Sequence, residues 1–92
     1  MQFDDLLALI HEQLSGERRL HGVMDADPDT GVWMLGNAAA EIHPSTSTGM
    51  LLILRTDGRP IHERIFAASE ISVGRMARAI TEHLTGYVAE KP

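Results

Sequence analysis

The dipeptide Asp57-Gly58 constrains this chain more than any other two residues in it. It separates two runs with the composition of strands, Met50 to Thr56 and Arg59 to Ala67. A type I′ turn needs positive φ at both central positions, which aspartate and glycine accept, and its twist matches that of the strands it joins. The two runs are therefore expected to form a hairpin. A two-residue turn also fixes the register: Thr56 opposite Arg59, Arg55 opposite Pro60, Leu54 opposite Ile61, and so on to Gly49 opposite Phe66.

Opposed residues share a face of the sheet. In that register one face carries Met50, Leu52, Leu54, Ile61 and Ile65, with Glu63 as an exception, and is expected to be the core face. The other carries Leu51, Ile53 and Phe66 beside Arg55, His62 and Arg64. A face turned to water is usually more polar than this. These six residues are the candidate interaction surface, with Phe66 as its aromatic anchor. Pro60 falls at a non-hydrogen-bonded pair, which suits a strand at the edge of a sheet.

Helices are expected at both ends. Phe3, Leu6, Leu7, Ile10 and Leu14 recur at three- and four-residue steps, and Gly16 supplies a stop. Val73, Met76, Ala77, Ile80 and Leu84 form a second stripe, capped by Ser69 or Ser72 and ended by Gly86. Between them, Leu20 to Asp25 and Gly31 to Leu35 read as strands around the turn-rich Ala26 to Thr30. The stretch from Asn37 to His43 reads as a weak continuation of the second strand after a bulge at Gly36, and His43 to Gly49 as a loop. The expected fold is α+β: an antiparallel four-stranded meander flanked by N- and C-terminal helices, in the order α-β-β-β-β-α. The 92 residues suffice for a single small domain, 1–92, with a mobile tail at 87–92.

Composition narrows the function classes. The chain has no cysteine, which excludes disulfides and thiolate chemistry. Its formal charge of -5 opposes attraction to phosphate backbones. The longest apolar run, Met50 to Leu54, is too short to span a bilayer, and the N-terminus lacks the basic and apolar regions of a signal peptide, so a cytoplasmic protein is expected. Lys91 is the only lysine against seven arginines. That usage, with plentiful alanine and glycine, is common in GC-rich bacteria and their phages.

Candidate chemistry is sparse. Asp25, Asp27 and Asp29 alternate like the start of a calcium loop. However, Thr30 and Gly36 stand where such a loop needs glycine and a bidentate glutamate, so a hairpin loop is the stronger reading and metal binding the weaker. The histidines at 11, 21, 43, 62 and 83 show no metal-ligand spacing, and no serine has a nucleophile motif around it. Arg18, Arg19, Arg55, Arg59 and Arg64 could make a local basic strip. An α-β-β-β-α order resembles the double-stranded RNA-binding domain in element order. The basic cluster that resemblance implies at the start of the last helix is replaced by Glu70-Ile71-Ser72-Val73-Gly74-Arg75. The expectation is a non-enzymatic protein-interaction module of adaptor, chaperone or inhibitor type, homodimeric and without cofactor. A small ligand- or metal-binding domain is the first alternative, and a nucleic-acid-binding domain the second.

Overall fold

The computed structural model describes residues 3–44 and 49–86. The expected loop across 45–48 and the expected tail at 87–92 lie outside them. The chain folds as α1 (Phe3–Ser15), β1 (Asp25–Asp27), β2 (Val32–Leu35), β3 (Ala38–Pro44), β4 (Met50–Thr56), β5 (Arg59–Phe66), a 3-10 turn at Ala68–Glu70, and α2 (Val73–Thr85). The five strands form one antiparallel sheet in the order β1-β2-β3-β4-β5. The architecture is α+β, with five strands where four were expected.

The additional strand is β3, made by the alanine-rich stretch that reads as an extension of the second strand. Leu35 pairs with Ala38, so Gly36-Asn37 is a two-residue turn and not a bulge. Only Gly36 of the two has positive φ, at 61°, which is the pattern of a type II′ turn. Ala38 and Ala40 point to the helices and are 9% and 0% exposed. Small side chains there let α2 pack closely on β3.

A second difference lies before β1. Only Asp25–Asp27 is strand. From Leu20 to Met24 the backbone instead closes turns, with Leu20 and His21 donating to the Glu17 carbonyl and Val23 and Met24 to that of Leu20. Gly22, at φ 78°, interrupts any extended run. Leu20 alone is driven into the core, at 1% exposure.

The helices follow the apolar stripes. α1 buries Leu6, Leu7, Ile10 and Leu14; α2 buries Met76, Ala77, Ile80, Thr81 and Leu84. Ser72 caps α2 by accepting from the Arg75 N–H, and Gly86 ends it at φ 71° in the left-handed region. The helices pack on each other and on one face of the sheet, around Trp33, Ala40, Ile42, Met50 and Leu52. Burial of each large aliphatic side chain stabilises the fold by about 1.5–3 kcal/mol. Among the described residues, no helix is long and apolar enough to cross a membrane.

Candidate interaction surface

The Asp57-Gly58 turn has positive φ at both residues, 54° and 78°, as a type I′ turn requires. Thr56 pairs with Arg59 and Arg55 with Pro60, as expected. Leu54 then pairs with His62 and not with Ile61. One extra residue, Ile61, is accommodated in a β-bulge, and every later residue of β5 turns to the opposite face. Met50 now faces Phe66, Leu52 faces Arg64 and Leu51 faces Ile65.

The bulge redistributes the expected surface. Phe66 is not an exposed anchor; it is 6% exposed and belongs to the core cluster, with the Arg64 guanidinium 4.7 Å above its ring. His62 and Arg64 share its face but lie exposed. Ile61 and Ile65, expected in the core, are 60% and 66% exposed. Leu51, Ile53 and Arg55 do lie together on the face away from the helices, but Ile53 is not exposed there as expected: its neighbours leave it only 9% exposed, and Ile65, not Phe66, completes the apolar group. Val32, Met34 and Ala39 extend that face across β2 and β3.

A polar chain runs through the middle of this open face. Glu41 on β3 lies opposite Ile53, between His43 on its own strand and Arg55 on β4. His43 Nε2 donates to Glu41 Oε1 at 2.9 Å, and Arg55 Nε donates to Glu41 Oε2 at 2.6 Å. Arg55 also reaches the Gly58 carbonyl, at 3.2 Å. Partial burial of the Glu41 carboxyl disfavours its charge. The hydrogen bonds from His43 and Arg55, with their positive charge, outweigh that and hold its pKa below the usual carboxylate range. On the other side of the sheet His83 Nε2 donates to the Arg55 carbonyl at 2.7 Å, pinning the end of α2 beside the bulge. Sequence spacing gives no signal for the contacts of Arg55 with Glu41 and His83, because each joins residues of different elements.

The three aspartates do not converge on one point. Asp25 and Asp27 lie on β1, Asp29 in the following loop, and no group of three or more metal-ligating side chains converges among the described residues. Asp29 instead lines a cleft of about 400 Å³ with Asp4, Leu7, Ala8, His11 and Pro28. His11 Nδ1 accepts the indole N–H of Trp33 at 3.2 Å, so in the neutral ring Nε2 carries the proton. Ser15 Oγ lies 3.5 Å from that nitrogen. A protonated Nε2 cannot accept the serine proton, so this pair is not arranged for nucleophilic catalysis. Comparison of the chain with protein-family models, curated proteins and solved structures finds no match.

Proposed function

We propose that this chain is a non-enzymatic protein-interaction module that works through the open face of its sheet, and that a second copy covers that face. The observation that carries this reading is the position of Ile65. It is 66% exposed beside Leu51 and Ile53, on a side of the sheet where the described chain supplies no second layer. Sheets commonly bury such a face against another sheet about 10 Å away. Two-fold pairing would bury the same residues on both copies, and closed symmetry would stop the assembly at a dimer. The Glu41, His43 and Arg55 group satisfies its own charges, so it can enter an interface as a preformed network.

Light scattering during gel filtration should give the mass of a dimer at micromolar concentration. Ile65→Asp should shift it to monomer with an unchanged circular dichroism spectrum. A monomeric wild-type protein overturns the reading.

A further inference from the structure

We propose that the free edge of β5 takes an extended, acidic segment of a partner protein as an added strand. The inference rests on the reading of the chain as a protein-interaction module but not on its self-association. β1 and β5 are the two edges of the sheet. β1 has 3 residues, whereas β5 has 8 and is exposed along its length up to Phe66. Past the bulge, residues His62 to Phe66 run in regular register with β4 and pair with nothing else among the described residues. An edge strand offers alternate N–H and C=O groups outward, a template for one more strand.

Side chains along that edge specify the occupant. Arg59, His62 and Arg64 stand opposite Thr56, Leu54 and Leu52 and therefore share the helix side of the sheet. All three are exposed, and none has a carboxylate partner among the described residues. In a chain of net charge -5 they form a local basic row. Exposed Ile65 points to the other face. A strand that fits this edge alternates acidic residues, set against the basic row, with apolar residues, set beside Ile65.

The same geometry argues against a second copy at this edge. Antiparallel pairing of β5 with its two-fold mate keeps each residue on its own face. The arginine row would then meet itself, and like charges directly opposed are destabilising. Pro60 and the bulge at Ile61 further blunt self-pairing at the start of the strand. A phosphate backbone fits less well for another reason: it has no alternating N–H and C=O groups to pair with the outward backbone of β5.

The test uses the full chain and a short end-blocked peptide alternating valine with glutamate. Amide exchange followed by NMR should slow at His62 to Phe66 on peptide addition. A lysine version should bind about tenfold more weakly, the scale of a few reversed cross-strand charge pairs. Arg64→Glu should reverse that preference. His62→Glu should weaken it while keeping the contact of Arg64 with Phe66. A glutamate peptide N-methylated along one edge should not bind. Equal binding of the two charge patterns, or binding by the N-methylated peptide, overturns the proposal. Protection confined to Leu51, Ile53 and Met34 overturns it while leaving the interaction-module reading intact. A single-stranded oligonucleotide that binds at His62 to Arg64 more tightly than the glutamate peptide also overturns it.

Discussion

Trp33 donates its indole N–H to His11 Nδ1 across 3.2 Å, and this one bond satisfies the polar atom of a side chain that is otherwise wholly buried. It ties α1 to β2 through residues 22 positions apart in the chain. His11→Phe should therefore leave a buried donor unpaired and cost about 1–3 kcal/mol. His11→Gln, whose amide oxygen can accept, should cost less. Urea unfolding followed by Trp33 fluorescence measures both, and equal stabilities would contradict the role assigned to the bond.

Gly31 should tolerate no side chain. It has φ 74°, and a Cβ built there would lie 2.7 Å from the Ile42 carbonyl oxygen and 3.2 Å from Leu7. Gly31 also accepts the Ile42 N–H through its own carbonyl at 2.8 Å, so the backbone cannot easily move away. Gly31→Ala should destabilise by more than the roughly 1–3 kcal/mol expected from backbone strain alone. Gly36 has φ 61° but nothing within 4 Å of such a Cβ. Gly36→Ala should pay the strain without the clash. Chemical denaturation should rank Gly31→Ala below Gly36→Ala; the reverse order would refute the packing at Gly31.

Acid should weaken the open face through Glu41. Its folded pKa is lowered, so its stabilising contribution is complete above the ordinary carboxylate range and is lost as pH falls through the lower, folded value. The partly exposed network limits the effect to about 0–1 kcal/mol. Glu41→Gln should flatten that part of the acid limb in a series of urea midpoints between neutral pH and pH 3. An unchanged limb would show that the network contributes nothing.

Phe66 and Ile65 should respond oppositely to the same change. Phe66→Asp places a charge in the core and should unfold the domain, and Phe66→Ala should cost about 3–5 kcal/mol. Ile65→Asp should change the unfolding free energy by no more than about 1 kcal/mol when both proteins are compared at a dilution where they are monomeric, since its side chain is then mostly in water. A folded Phe66→Asp protein would mean that the bulge is misplaced by one residue.

That single bulge marks the limit of what the sequence discloses. The hairpin, its turn and the edge position of Pro60 are legible because two-residue turns and proline impose local rules. Both helices are legible from the spacing of Leu6, Ile10 and Leu14 and of Met76, Ile80 and Leu84. The inserted residue Ile61 is not, because the residues after it, His62-Glu63-Arg64 and then Ile65-Phe66, do not alternate and so favour neither register. One residue of slip exchanges Phe66 for Ile65 at the surface, so a correct hairpin yields a partly wrong site. β3 is obscured for another reason. Ala38, Ala39 and Ala40 carry helix propensity, and they are strand because close approach of α2 demands small residues and the Gly36-Asn37 turn sets the direction. The bonds of Glu41 to Arg55 and of His11 to Trp33 carry no local signal, since these partners come from other elements.

The meander order has a kinetic consequence. Every strand pairs only with its neighbour in sequence, so each hairpin can close over a short loop at low entropic cost. Packing of α1 against α2 is different: it joins Phe3–Ser15 to Val73–Thr85, two segments separated along the chain by all five strands. We expect the β4–β5 hairpin to be formed in the folding transition state and the α1–α2 contact to form after it, which folding and unfolding rates of Gly58→Ala and Ile10→Val would resolve. On that order the two helices act as a latch: what first comes undone when the protein opens is the contact between its two helices, and the sheet outlasts it.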